Sequence, residues 1–293
     1  VIINAANLQL LYQSLSVLFQ DAFGQVTPTY SRIAMEVPST TRQENYAWLG
    51  KFPKMREWLG DRVVQSVAAH NYAIANRDWE VTIEVDRNDI EDDTIGLYRP
   101  IVQETGRGAA SHPDELVWGL LPQGFTAPCY DGKAFFAADH PMGGGSAGSN
   151  YASGSATPWY LISSQRPIKP MIFQNRRAPN FVAITRPDDE SVFMKKKFMY
   201  GVDRRDNAGF GLWQLAYGAK NTMNGTNYAA ARAAMLGYKD EEGRPLGIVP
   251  DLLIVPPSLE AAGRMVVKAE RDASGASNVW YQTADLLVVP WLS

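Results

Sequence analysis

Residues 36–66 read EVPSTTRQENYAWLGKFPKMREWLGDRVVQS, and this stretch decides how the chain is read. Tyr46, Trp48, Phe52 and Trp58 stand among dense charges, with no long apolar run to build a core of their own. Large rings left in water are unfavourable and promote sticking. They are therefore expected to press on something beyond the segment, and a second molecule is one candidate. That expectation points to assembly rather than catalysis.

The flanks of the stretch read as strands. Ile33, Met35 and Val37 alternate with polar or small residues up to Pro38, and Trp79, Val81, Ile83 and Val85 alternate with Glu80, Thr82 and Glu84. Between them, Thr41 followed by Glu44 resembles a capping box, predicting a short helix that stops near Gly50. A second short helix is predicted over Met55–Leu59 and a strand over Val63–Val67. Residues 32–85 thus read as an elongated hairpin with a decorated tip.

Upstream, Leu8, Leu11, Leu15, Leu18 and Ala22 form one apolar helical face, with Asn7 as N-cap and Gly24 near the end. Downstream, Asp89, Glu91, Asp92 and Asp93 cluster where a helix would begin. The run Ile90–Leu121 reads as one long bent helix, or two joined near Ser111–Pro113. Asp131–Gly132 suggests a hairpin turn, and residues 142–158, MGGGSAGSNYASGSATP, a flexible linker. Short strands are predicted at Trp159–Ile162, Met171–Gln174, Phe181–Ile184, Val192–Phe198 and Phe210–Tyr217. Further helices are predicted at 227–237 and from Ser258 to about Lys268, and buried strands at Ile248, Leu252–Val255 and Leu286–Val289. Helices and strands mix without βαβ alternation, so the class is α+β.

Composition narrows the function. The 293 residues are 45% hydrophobic, enough for a buried core rather than disorder. A formal net charge of -3 argues against a dedicated nucleic-acid binder. The single cysteine, Cys129, can form no intrachain disulfide and reads as an apolar filler. No stretch is long and apolar enough to span a bilayer, and no signal peptide is visible, so a reducing cytoplasm is the expected site of synthesis.

The search for chemistry returns little. His70, His112 and His140 lack metal-ligand spacing. Asp139–His140 has no nucleophile elbow to serve and reads as a polar turn. The acids from Asp86 to Asp93 fail the calcium-loop spacing, because Ile90 falls at a ligand position. Gly209-Phe210-Gly211 lacks the third glycine of a dinucleotide fingerprint. Lys195, Lys196 and Lys197 read as a solvated face of a strand. No enzymatic activity, cofactor or metal is expected; the rival enzyme reading would be a metal-dependent hydrolase using Asp139 and His140.

Six pieces in order resemble one family: PSTTRQENYAWLGKFPKMREWLGDRVVQ, DRNDIEDDTIGLYRPIV, HPDELVWGLL, PCYDGKAFFAADHP, YGVDRRDNAGFGLWQLAYG and GRPLGIVPDLLIVPP. Together they resemble the major head subunit of Mu-like tailed phages, over almost the whole chain. The resemblance implies the Hong Kong 97-type capsid fold, with an N-terminal arm, an extended β-hairpin loop, a peripheral domain with a long spine helix, and an axial domain. Residues 1–31 would be the arm, 32–85 the extended loop, 86–221 the peripheral domain with its spine helix and flexible 142–158 segment, and 222–293 the axial domain. The axial segment would then follow the last peripheral strands, a departure from the commonest order.

The implied function is a major capsid protein that assembles into hexamers and pentamers around packaged double-stranded DNA. The implied partners are copies of itself, DNA held non-specifically, a scaffolding protein, a portal and a decoration protein, with no membrane. Assembly would take place in the bacterial host cytoplasm, giving a virion capsid. Trp48, Phe52 and Trp58 are expected to anchor the extended loop on a neighbouring subunit, with Arg56, Asp61 and Arg62 pairing across the contact. Two rivals are a nanocompartment shell of the same fold and a small-oligomer binding module, separable by electron microscopy and light scattering.

Overall fold

A computed structural model describes residues 2–49, 72–92, 94–142, 147–186, 188–240, 243–272 and 274–293. Helix α1 (Ala5–Gln25) leads to strands β1 (Ala34–Pro38), β2 (Gln43–Asn45), β3 (Ala73–Ala75) and β4 (Arg77–Asp86). Helices α2 (Arg87–Glu91) and α3 (Arg99–Gln123) precede short strands β5 (His140–Pro141), β6 (Ala147–Gly148), β7 (Tyr151–Ala152) and β8 (Trp159–Ile162). Then come β9 (Met171–Ile184), α4 (Glu190–Lys195), β10 (Lys197–Phe210) and β11 (Ala216–Ala219). Helix α5 (Gly225–Leu236), β12 (Leu252–Val255), α6 (Glu260–Val267) and β13 (Asp285–Val288) complete the chain.

Two sheets organise these elements. The first has order β1-β9-β10-β4. Its centre is the long antiparallel pair β9–β10, with β1 parallel to β9 on one edge and β4 antiparallel to β10 on the other. The two strands expected to return on each other, β1 and β4, are therefore opposite edges, separated by a hairpin from much later in the chain. Among the described residues, the short β2–β3 pair and the bonds flanking it join the ascending and descending segments directly. The register of β9 against β10 shifts around Asp203–Asp206, opposite the stretch holding Pro179. A proline has no N–H for a ladder and is tolerated at such an irregularity. This is why Met171–Gln174 and Phe181–Ile184, which read as separate strands, are one.

The second sheet has order β13-β12-β8-β11-β7. Every residue of β8, β11 and β12 is buried, as strands covered on both faces require. Its strands come from 151–162, 216–219 and 252–288, on both sides of residue 222. Residues 147–158, expected as linker, are instead built in. Asn150 is fully buried, accepts the Ala137 N–H (2.9 Å), and donates to the carbonyls of Phe135 (2.8 Å) and Ala216 (3.2 Å).

Helix α3 ties the two halves together. Val102 belongs to a small core with α1, β4, β9 and β10, whereas Val117, Trp118 and Leu121 belong to the large core around the second sheet. It runs unbroken through Pro113, although a mid-helix proline deprives the carbonyl four residues earlier of its donor. Arg204 on β10 supplies the replacement, donating through Nη1 to the Ala109 oxygen at 2.9 Å. The helix begins at Arg99, after the separate α2 capped by Asp86, rather than at Ile90. On the other side of Pro113, the buried Asp114 carboxylate accepts the N–H groups of Thr29 (2.8 Å) and Tyr30 (2.6 Å), fixing the chain as it leaves α1.

Helix α1 packs on α3 through Leu8, Leu15, Phe19 and Ala22. Its N-cap is Asn4, whose side chain accepts the Asn7 N–H at 2.8 Å; Asn7 is the donor rather than the cap. Gly24 lies inside the last turn, and the helix ends at Val26. Gly106 of α3 lets the helices close, because a Cβ there would stand 2.5 Å from the Phe19 carbonyl oxygen. No described helix is long and apolar enough to cross a membrane.

Candidate assembly surfaces

The base of the expected extended loop is a built stem. Glu44, which the Thr41–Glu44 spacing assigns to a helical capping box, does accept from the residues before it, but from within β2. Its Oε1 accepts the N–H groups of Thr40 (2.9 Å) and Thr41 (3.1 Å) and the Ser39 hydroxyl (2.9 Å). These donors, the Thr40 N–H foremost, hold its carboxyl down at about 2. The same hydrogen-bonding logic thus closes a turn before a strand, since β2 has β3 to pair with and a helix would not. Gln174 on β9 locks the stem to the first sheet. It accepts the Tyr46 hydroxyl (2.9 Å) and donates to the Ile74 carbonyl (3.1 Å) and the Asn76 side chain (2.7 Å).

Of the six expected contact residues, Trp48 is described. It is half-buried, packs against the large core of its own chain, and meets Tyr46 edge-on at 6.2 Å. Phe52, Arg56, Trp58, Asp61 and Arg62 lie outside the described residues, as do the predicted helix at 55–59 and strand at 63–67.

The rival catalytic pair comes apart. Asp139 is exposed and paired with Lys133. His140, read with Asp139 as a polar turn, is fully buried and stacks on Trp213 with ring centroids 4.1 Å apart. Its Nδ1 lies 2.6 Å from Asp131 Oδ2, and its Nε2 faces the oxygens of Asn150 (3.2 Å) and Phe135 (3.3 Å). Burial pushes the Asp131 carboxyl up, but hydrogen bonds from His140, Cys129 and the Lys133 N–H outweigh it and hold it below the usual range. Burial, with Asp131 beside it, drives the Cys129 thiol up, so it is no ready thiolate. Cys129, Asp131 and His140 do bring three potential ligand atoms together. Tetrahedral ligands about 2.0 Å from an ion stand roughly 3.3 Å apart, whereas His140 and Asp131 already touch at 2.6 Å. The cluster is a hydrogen-bonded rivet between the 128–134 turn and the second sheet.

Among the described residues, several surfaces expose apolar side chains, and three of them lie on or beside the first sheet. A groove of about 480 Å³ runs between edge strand β4 and α3, and Val81, Ile101, Val202, Glu80 and Glu104 are among the residues that line it. The face of the first sheet away from the helices carries Val182 and Ile184, both exposed. The turn between β9 and β10 holds α4 with Phe193 and Met194 outward. Reading Val192–Phe198 as a strand conceals this last surface. The adjacent Phe and Met beside lysines were the available signal.

Comparison with known proteins follows the same direction. The family described as Mu-like prophage major head subunit gpT matches residues 8–292. The major capsid protein of Escherichia phage Mu is 42% identical over 289 residues, 95% of either chain. A chain from the procapsid of bacteriophage JBD30 superposes with a TM-score of 0.87 at 43% identity, covering 99% of this chain and all of that one. A chain from the JBD30 capsid decorated with minor capsid protein trimers gives 0.81 at 33% identity, covering 94% of each.

Proposed function

Because this chain belongs to the Mu-like prophage major head subunit gpT family, we infer its working form from the physics of a shell built of many copies. It is the major capsid protein of a tailed phage, a structural protein of the head shell with the capsid fold of its neighbours, not an enzyme. The observation that carries this is the match across nearly the whole chain, in sequence and in fold together. The nanocompartment reading is not favoured, since the relatives are phage heads.

Copies arranged heterologously about a rotation axis close into rings, here hexamers and pentamers. Modest contacts repeated over many neighbours then hold the shell. Packaged double-stranded DNA would meet the inner face without sequence preference. A scaffolding protein and a portal join assembly in the host cytoplasm, and trimers of a minor capsid protein, present on the JBD30 capsid, are the expected decoration.

Residues 1–31 serve as the arm and 32–85 as the extended loop, rising from the β2–β3 stem. Residues 86–221 form the peripheral domain and 222–293 the axial domain, to which β7, β8 and β11 add strands. Trp48, Phe52 and Trp58, with Arg56, Asp61 and Arg62, form the loop's contact with an adjacent subunit. Support comes from the anchoring of the stem through Gln174, which gives the loop a fixed root.

Electron microscopy of the expressed protein tests the shell, with closed particles expected; a small soluble oligomer would overturn it. Trp48→Ala and Trp58→Ala are expected to lower particle yield while the subunit stays folded by circular dichroism. Normal shells from both would remove the anchor.

A further inference from the structure

Both ring nitrogens of the buried His140 face acceptors. Nδ1 lies 2.6 Å from Asp131 Oδ2, and Nε2 lies 3.2 Å from Asn150 Oδ1 and 3.3 Å from the Phe135 carbonyl oxygen. The orientation of the Asn150 amide is fixed by its other partners. Its Oδ1 accepts the Ala137 N–H at 2.9 Å, and its Nδ2 donates to the carbonyls of Phe135 (2.8 Å), Ala216 (3.2 Å) and Trp213 (3.3 Å). Reversal would set the NH2 against an N–H and the oxygen against three carbonyls. A neutral imidazole carries one N–H and one lone pair. Either neutral tautomer would therefore press a buried lone pair against an oxygen, and a buried polar atom left without its partner is costly.

Asp131 does not supply the missing proton. Its Oδ1 accepts from the Cys129 thiol (3.1 Å) and the Lys133 N–H (3.0 Å), and its carboxyl is held below the usual range. Both N–H protons thus belong to the ring. The Trp213 indole lies within 7° of parallel to it, a face that favours a cation.

We propose that His140 is a pH-sensitive catch: as an imidazolium it fastens the 128–141 segment to the second sheet, and loss of one ring proton weakens that attachment. The catch lies within a single subunit and operates whether or not subunits assemble. A detached His140 is an ordinary imidazole, which releases its proton as pH rises through about 6.5. The seated form binds one proton more than the detached form, so attachment is firm near pH 6 and weakens as pH rises. The other ionisable groups around the ring keep their state over this range. Burial pushes Cys129, Tyr130, Tyr72 and Tyr238 up, and the Lys133–Asp139 pair moves Lys133 up and Asp139 down. The 149–150 and 213–216 stretches contribute no ionisable side chain, and His112 lies apart, against Asp206. Phe135 and Phe136 stay buried in the large core, so loss of the proton loosens the segment without unfolding the subunit.

Asp131→Asn separates the proton from the packing. The amide oxygen keeps the Cys129 and Lys133 donors, and the NH2 takes the place of Oδ2. It donates to Nδ1 of a neutral ring whose Nε2–H still faces Asn150, so the contacts are kept without the extra proton. Hydrogen exchange over 128–141 is followed in the folded subunit from about pH 6 to about pH 9 and corrected for intrinsic rates, with β12 as the internal reference. It should quicken in the parent by up to about tenfold per pH unit and stay level in Asp131→Asn. Selective 15N labelling of the three histidines reads the ring directly, His140 being the one that remains in His70→Gln/His112→Gln. At about pH 7 it should carry a proton on both ring nitrogens in the parent and on one in Asp131→Asn. A bare ring nitrogen on His140 in the parent would overturn the proposal, as would exchange that is level in the parent or equally pH-dependent in both chains. Should Asp131→Asn fail to fold, the ring spectrum of the parent decides alone.

Discussion

Replacing Gly106 by alanine sets two effects of known sign against each other. In a helix interior alanine is favoured over glycine by about 1 kcal/mol. At this position the added Cβ would lie 2.5 Å from the Phe19 carbonyl oxygen and 3.1 Å from the Ala22 Cβ. The first distance is about 0.9 Å short of the 3.4 Å at which ordinary contact begins, and the obstacle is backbone. No side chain can rotate away, so α1 must withdraw from α3 along the contact that Leu15 and Phe19 fill. Overpacking of this kind typically costs about 1–3 kcal/mol, and a backbone obstacle places it at the upper end. After the propensity gain, Gly106→Ala should destabilise the subunit by about 1–2 kcal/mol, up to roughly thirty-fold in the unfolding equilibrium. Gly108→Ala is the control, because a Cβ there meets nothing within 4 Å. It should stabilise by up to about 1 kcal/mol. Urea unfolding of unassembled subunits followed by circular dichroism measures both. Equal or greater stability of Gly106→Ala than of the parent would refute the close α1–α3 approach.

Two further outcomes follow from the buried rivet and the stem. His140→Leu takes the imidazole away from Asp131 Oδ2, while Oδ1 keeps the Cys129 and Lys133 donors, and should cost about 1–3 kcal/mol, while Asp139→Asn, at an exposed site, should change denaturant stability by less than about 0.5 kcal/mol; similar losses from both would undo the distinction drawn between them. Glu44 sits at about 2 in the folded chain, below the ordinary carboxylate value of 4.5, so its contribution is fully present above the ordinary value and is lost as pH falls through the folded one. Hydrogen exchange at the Thr40 and Thr41 amides, compared between the parent and Glu44→Gln, should show extra protection in the parent at pH 5 that disappears towards pH 2, and a pH-independent difference would contradict this.

The local periodicities were legible because they are local. The apolar face of α1, the alternation of β4 and the apolar runs of β8 and β12 follow from burying one face of a helix, one face of a strand or both. Errors fell where a long-range partner overrode the local signal. Glu44 closes a strand turn because β3 is there to pair; Pro113 stays within a helix because Arg204 satisfies the carbonyl it orphans. Residues 147–158 look like linker by composition, yet Asn150 and its backbone partners fasten them to the second sheet.

Sequence alone established the α+β class, the family resemblance and an assembly role, since composition, spacing and motif order carry that information without coordinates. Tertiary structure alone decided that β1 and β4 are opposite sheet edges, that His140 is a buried rivet, and that Phe193 and Met194 face water. Each depends on which distant segment comes to lie beside a residue, and side-chain spacing along the chain does not encode the identity of that neighbour.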